Sequence, residues 1–469
     1  MKKEVVDFTK GNPIKLILPF YVPLLLTSLL QQIYNFVDAL IVGQGLGDNA
    51  LAAVGNMGSV FFLIVGFSFG LANGFGVLIA QSFGAKDYNL LRRRIASTIK
   101  LACGLIIVLT TLSLIFLKNI LIFLRTDDVI LNDCLAYGYI IFAGLFTSIS
   151  YNVCAAILRA LGDSKTPLKA IVISSIINLS LDSLFIFVFH MGVWSAAIAT
   201  VVAQIISTIV CFNRLKQISI IRLKREEFHN ERNVYIELIK NGVPMAFMNS
   251  ITAVGCMVVQ YFVNGYGVNY TSAYAACSKY LNLFMNPACT AGHAMSAFTS
   301  QNYGAKKYDR IKEGLKVCLG IAFVSYFTLG MVMTFAPRFL ADILLDGSKP
   351  INLASQFLPI CGVSIIAVDC LFVFRTGVQG MGEPMIPMWS GVVEMILRIA
   401  IISLFMKEVG FKATAYAEVG AWVGALLMNM IAFAVILGKK IEKKDETSID
   451  LTVARKKEIE GYEGIVYRR

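Results

Sequence analysis

The hydropathy pattern constrains this chain more than any motif does. Apolar runs of about 20 residues, the length that crosses a bilayer as a helix, recur with centres near Thr27, Val65, Ile106, Leu145, Asn178, Ala203, Ala253, Pro287, Ser325, Ile365, Leu397 and Ala425. These runs predict an all-α integral membrane protein of twelve transmembrane helices. A membrane β-barrel would instead alternate apolar and polar residues in short segments, and no such alternation is present. With 57% hydrophobic and 15% charged residues, the chain is too apolar for a soluble domain. Met1 to Lys15 is short and charged and has no small-residue cleavage site, so it reads as a retained anchor.

Charge then sets the expected orientation. The formal net charge of +12 is crowded into the segments before the first helix and after alternate helices, as in Arg92-Arg93-Arg94, Arg222 to Arg232, and Lys306-Lys307 with Arg310 and Lys312. The other loops hold only Lys118, Arg125, Arg338, Lys349, Lys407 and Lys412. By the positive-inside rule both termini are expected in the cytoplasm, and the basic excess is topology rather than a nucleic-acid footprint.

Shifted against itself by 220 residues, the sequence repeats without a gap. Ala80-Gln81-Ser82-Phe83-Gly84-Ala85-Lys86 returns as Ser300-Gln301-Asn302-Tyr303-Gly304-Ala305-Lys306. Leu161-Gly162-Asp163 with Pro167 returns as Met381-Gly382-Glu383 with Pro387, and Gly47 with Asn49 as Gly267 with Asn269. Six helices per copy place both copies in the same orientation, related by a pseudo-two-fold axis along the membrane normal. The expected units are an N-terminal lobe (1–222), a C-terminal lobe (223–438) and a cytoplasmic tail (439–469), with Arg214 to Lys240 as the bridge. Two facing bundles suit a transporter with a central cavity and rocking lobes.

Polar groups inside the apolar runs point to chemistry. In the first run Gln31, Asn35 and Asp38 fall at i, i+4 and i+7 and share one helix face, with Tyr34 beside them and Pro23 earlier as a predicted bend. A carboxylate at the bilayer centre costs roughly 2.5 to 3.5 kcal/mol, so such acids are functional candidates. The fifth run places Ser175, Asn178 and Asp182 on one face, and the sixth adds Thr200 and Gln204 one turn apart. These oxygens suit a hard cation such as sodium; alternatively, two carboxylates in a low-dielectric pocket cannot both ionise cheaply, and the pair carries a proton.

The second copy differs. Asp369 stands where the first copy has Ile149, as a cavity or coupling acid or as the partner of Lys279 or Arg398. Glu394 and Arg398, four apart, predict a local ion pair, and Glu418 an interfacial position. The ten cysteines and three histidines show no ligand spacing, so no resident metal or cofactor is expected. Gly66-Phe67-Ser68-Phe69-Gly70 fits a hydrolase motif but lies mid-helix, and Gly66, Gly70 and Gly74 instead have the spacing of close helix packing. No nucleotide-binding or zinc-protease motif occurs, so the chain is not read as an enzyme, and any uphill transport must use an ion gradient. Tyr34, Phe61, Phe62, Phe284, Tyr326, Phe372, Met57, Met257 and Met285 are candidate walls for apolar cations.

Taken in order, these residues resemble the multidrug and toxic compound extrusion (MATE) family. The resemblance runs from Pro13 to about Gly438 and rests on Gln31-Gln32-Ile33-Tyr34-Asn35-Phe36-Val37-Asp38, Val42-Gly43, Ala50 to Gly55, Ala80-Gln81 with Gly84-Ala85-Lys86, Arg159 to Asp163 with Pro167, Asn178 to Asp182, Ala197 to Thr200, and Gln301 to Ala305. It implies a monomeric antiporter in the inner (cytoplasmic) membrane, of the multidrug/oligosaccharidyl-lipid/polysaccharide exporter superfamily, that exports organic cations or other amphipathic small molecules against sodium or proton entry. It also implies a cation-coupling site at Tyr34, Asp38, Asn178, Asp182 and Thr200, with sodium at the last four, and a bending proline at Pro23. Gln31, Asn35, Asp369, Gln260 and Lys279 are the expected cavity or conformational positions. Helix 7 offers Gln260 where another branch of the family carries an acid, which favours the N-lobe site. The alternative is a lipid-linked oligosaccharide flippase, for which Lys279 and Arg398 would serve an anionic head group.

Overall fold

The computed structural model describes residues 5–124, 126–229 and 231–466, without the side chains of Ser59 and of residues 444–466. Met1 to Glu4, Arg125 and the tail's side chains beyond Lys443 therefore lie outside the described residues. The chain is helical in sequence order: α1 (Pro13–Leu46), α2 (Asp48–Gly84), α3 (Tyr88–Phe123), α4 (Asp128–Ala143), α5 (Leu145–Ala160), α6 (Lys165–Ser183) and α7 (Trp194–Lys216), then α8 (Arg232–Asn264), α9 (Val268–Gly304), α10 (Tyr308–Ser325), α11 (Met331–Phe335), α12 (Pro337–Leu344), α13 (Ser348–Gly380), α14 (Met385–Val409) and α15 (Lys412–Val466).

Among the described residues, ten helices or helix runs are long and apolar enough to cross a membrane, and α4 with α5, bent by 46° at Gly144, makes an eleventh span. The twelfth is α9, whose 37 residues are long enough but carry more polar groups. The architecture is thus the expected twelve-helix, two-lobe membrane fold, with α4 and α5 together answering the single run predicted around Leu145.

Local sequence fixes the helix ends. Pro13 opens α1, where its missing N–H costs nothing, and Asn12 Oδ1 accepts from the Ile14 N–H at 2.9 Å. Asp87 Oδ1 caps α3 on Leu90 N–H at 2.9 Å. The turns into α2 and α9 are made by Gly47 (φ 85°) and Gly267 (φ 96°), mates under the 220-residue shift, in the left-handed region that glycine enters without a steric penalty.

The first helix belongs to both lobes. Its early residues Ile17, Phe20, Tyr21 and Leu24 are buried with Ala288, Met295, Phe298 and Phe433 of the second lobe, whereas Ile41 and Val42 are buried with Ile186, Val193 and Ala196 of the first. Pro19 and Pro23 lie in the half held by the second lobe, and the Thr27 hydroxyl donates to the Pro23 carbonyl at 2.7 Å.

The lobes pack closely where α2 crosses α8. A Cβ on Gly70 would stand 2.6 Å from Ala246 Cα and 2.8 Å from the Met245 carbonyl, and Gly74 is as tightly set against Gly242. Two of the three glycines at the predicted spacing are therefore packing residues, while Gly66, like Gly55 and Gly58 above it, faces open space. Ser68 sits mid-helix, donating to Val65 O at 2.8 Å. Gly70→Val is expected to force α2 from α8 and to destabilise the fold by about 1–3 kcal/mol, as over-packing does, whereas Gly66→Val is tolerated. Thermal unfolding of the two variants in detergent checks this pair.

Candidate functional site

Four helices of the first lobe converge on Asp38. It projects from α1 onto α6, where Asp182 faces it carboxyl to carboxyl, and Asn178 stands one turn before Asp182. From α7 comes Thr200, which accepts from Asn178 Nδ2 at 3.5 Å and is reached by the side chains of both Tyr34 on α1 and Tyr137 on α4. Asp182 and Asn178 are fully buried. Immediately after Asp182 the backbone widens into a π-helical turn, Leu184–Val188, a local irregularity that recurs at functional sites.

The acceptor inventory defines what the cluster can do. Asp38 Oδ1, both oxygens of Asp182, Asn178 Oδ1 and Gln204 Oε1 are buried, and each lacks a hydrogen-bond donor. Buried polar atoms are almost always paired, so the four acceptors of Asp38, Asn178 and Asp182, gathered without a donor, form a receptor for something positive. A small hard cation, ligated by carboxylate, amide and hydroxyl oxygens, satisfies that requirement, and so does a proton shared between the two acids.

The structure thus brings together Tyr34, Asp38, Asn178, Asp182 and Thr200. It leaves other candidates elsewhere. Gln31 and Asn35 are exposed rather than turned into the cluster, and Pro23 is buried against the second lobe. Gln260 donates to Asn264 Oδ1 at 2.6 Å near the end of α8. Lys279 is exposed and Asp369 pairs with neither it nor Arg398: both Asp369 oxygens are buried without a donor, with Tyr21 of α1 among the neighbours. Tyr137 was not singled out from sequence, where nothing distinguishes it from Tyr139 two residues on. Of the candidate wall residues, Met57 and Phe284 are buried core, whereas Phe62 and Met257 are 69% and 58% exposed.

Inside the second lobe four buried charged side chains pair among themselves. Glu394 and Arg398 meet at 3.6 Å as their spacing predicts, but as one link of a longer chain. Arg375 on α13 pairs with Glu394, Arg398 binds Glu418 on α15 at 2.9 Å, and Tyr274 of α9 donates to Glu418 Oε1 at 3.3 Å. The expectation of an interfacial Glu418 is overturned, because packing of α15 on α14 leaves it only 5% exposed. Among the described residues all ten cysteines are free and no group of three acidic, histidine or cysteine side chains could hold a metal.

Comparison with known proteins identifies the fold and the family. The chain is 27% identical to a Bacillus subtilis protein named a probable multidrug resistance protein, YoeA, over 89% of this chain and 91% of that one. It is 28% identical to a second of that description, YpnP, from the same organism, over 87% and 92%. Among solved structures it superposes on a MATE protein crystallised in a bent conformation with a TM-score of 0.89 at 20% identity, covering 94% of this chain and 99% of the other. An outward-facing multidrug resistance MATE transporter matches with a TM-score of 0.86, also at 20% identity over 94% and 99%. The MatE family model matches twice, over residues 23–184 and 244–404, an offset of about 220 residues that is the shift of the internal repeat. With most of its length matched in two copies, the chain belongs to the MatE family, the multidrug and toxic compound extrusion transporters that its sequence resembles.

Proposed function

We propose that the chain is a secondary active exporter that exchanges sodium or protons for organic cations or other amphipathic compounds, with the ion bound between Asp38 and Asp182 in the first lobe. The observation that carries this reading is the set of four buried acceptors of Asp38, Asn178 and Asp182 without a donor, in a chain without nucleotide-binding motifs. The relatives' names as multidrug resistance and multidrug export proteins support the substrate class. The basic loops support cytoplasmic termini and an inner-membrane location, and one chain with two lobes is a complete transport unit as a monomer.

In this mechanism the ion draws Asp38 towards Asp182, and with it the distal half of α1 towards α6 and α7. The proximal half of α1 is held by the second lobe, so the strain falls on the segment around Pro19 and Pro23, and ion occupancy changes the angle between the lobes. Coupling is reciprocal: if the ion weakens drug binding tenfold, the drug weakens ion binding by the same factor, about 1.4 kcal/mol. The flippase alternative is less well supported, since Lys279 is exposed and both buried arginines of the second lobe are already paired with glutamates.

Uphill export of a fluorescent organic cation from proteoliposomes, with a sodium gradient and a pH gradient imposed separately, tests the proposal. Export under one gradient names the ion, and export under neither overturns the reading. Tyr137→Phe, which removes one hydroxyl beside Thr200, is expected to raise the ion concentration for half-maximal export by up to about tenfold, the worth of one net hydrogen bond, without changing drug affinity at saturating ion.

A further inference from the structure

The two halves of the repeat are tied together at the face where α1 begins and α2 and α9 end, by a pair of glutamine bonds that obey the 220-residue shift and by straps beside them, none of which involve the cation-cluster residues. Near the end of α2 the Gln81 amide donates to the Gly380 carbonyl, the last residue of α13, at 3.0 Å. Its mate Gln301, near the end of α9, donates to Ala160, the last residue of α5 and the mate of Gly380, at 2.8 Å. Each glutamine therefore reaches into the opposite lobe. Between them the two helices end backbone against backbone: a Cβ on Gly84 would fall on the Gln301 carbonyl, and one on Gly304 on the Gln81 carbonyl.

A strap precedes each half. Before α1, the Val6 N–H donates to Leu161 O of the first lobe at 3.1 Å, while the Phe8 N–H donates to Gln301 Oε1 at 2.8 Å. The Phe8 ring is fully buried between Phe20 and Phe298. Its carbonyl accepts from Asn302 and from Arg310 at 3.0 Å, and the Thr9 carbonyl accepts from Lys307 at 2.7 Å. Phe228 is the mate of Phe8 and closes the short turn before α8. Its carbonyl accepts from Lys100 of α3 at 2.5 Å, and Glu227 beside it pairs with Arg92 at 2.8 Å. The start of each half is thus fastened to the other half's lobe.

We infer that Gln81, Gln301 and the two phenylalanine straps form a two-fold clasp that shuts the lobes together at this face, and that its release is the step that opens the cavity there. Val6 and Phe8 are bonded to different lobes but are two residues apart, a reach of at most about 7 Å, so the lobes cannot part at this point while both hold. Parting them would strip buried amide and carbonyl groups of their partners at once, the all-or-none cost that makes a contact a latch rather than a spring. The functional consequence rests on the alternating-access reading; the clasp itself does not.

Spin labels on Asn89 and Asp309, exposed mates in the first turns of α3 and α10, read its state in the full-length cysteine-free protein in lipid nanodiscs. The unaltered clasp should give one dominant short separation. Gln81→Ala with Gln301→Ala should enlarge the longer-separation population at least about tenfold, as expected for the loss of three net hydrogen bonds, and Phe8→Ala should shift it the same way. An unchanged distribution in both variants, each eluting as a folded monodisperse protein, overturns the inference, as does a parent protein already separated at this face. The distances are read without any transported compound, so a chain that exports nothing but opens when the glutamines are removed keeps the clasp and loses the efflux reading.

Discussion

Asp182→Asn is expected to suppress ion-driven uphill export at ion concentrations that saturate the parent, while leaving the protein as stable as the parent or more so, and Asp38→Asn to do the same. The reasoning starts from the acceptor count. Asp182 contributes two of the four buried oxygens at the site that lack a donor, Asp38 a third, and hydrogen bonds or ligations to a charged group are worth about 1.5–3 kcal/mol. Losing one carboxylate should therefore weaken ion binding about ten- to hundredfold, read as a rightward shift in the ion concentration for half-maximal export. Losing an interaction by mutation usually lowers stability; here the introduced amide N–H can donate to the facing acid, whose oxygens lack a donor, so the unfolding temperature should hold or rise. The two changes should also be strongly non-additive, because both acids serve a single bound cation. Asp369→Asn is the internal comparison: this acid lies beside Tyr21 in the part of the fold where α1 packs on the second lobe, outside the Asp38 cluster, and its loss should leave the ion dependence in place. If instead Asp182→Asn exports normally and Asp369→Asn does not, the site belongs in the second lobe.

What the sequence could carry of this site depended on whether the signal was local. Asp38, Asn178, Asp182 and Thr200 are legible because each interrupts an apolar run, and helical spacing alone puts Asn178 and Asp182 on one face. Tyr137 is not legible, since a tyrosine in a membrane helix faces lipid, water or protein according to helix rotation, which tertiary packing decides. The same limit explains the charged residues of the second lobe. The Glu394–Arg398 pair is a property of one helix and could be read directly; Arg375 with Glu394 and Arg398 with Glu418 join three helices whose relative heights no local rule supplies. Glu418 was misplaced because nearness to a helix start suggests the interface, whereas α14 covers that start. The repeat, by contrast, carried long-range information: the shift of 220 residues anticipated the pairing of Gln81 with Gln301 as equivalents, though not that each would bond to the opposite lobe.

Arg398→Met is expected to be the most destabilising single change, and the reason lies in the repeat. Arg398 is the mate of Asn178, so at the place where the first lobe gathers buried acceptors without a donor, the second lobe carries a tethered guanidinium. That guanidinium is held by Glu418 through Nε at 3.1 Å and Nη2 at 2.9 Å, with Glu394 at 3.6 Å and Arg375 completing two positive and two negative charges. All four side chains are no more than 7% exposed. Breaking such a network by removing one partner leaves a buried charge uncompensated, at a cost of about 3–5 kcal/mol, which for a lobe of this size corresponds to a fall in unfolding temperature on the order of 10 °C. Replacing Glu418 as well, by Met, should recover much of the loss, because two well-packed apolar side chains can replace a buried ion pair at little net cost. Thermal unfolding of the single and double variants separates this from a transport role: recovery in the double variant with export intact makes the network a brace that keeps the second lobe rigid while the first responds to the ion. A double variant that regains stability but cannot export would instead make Arg398 part of the transport cycle.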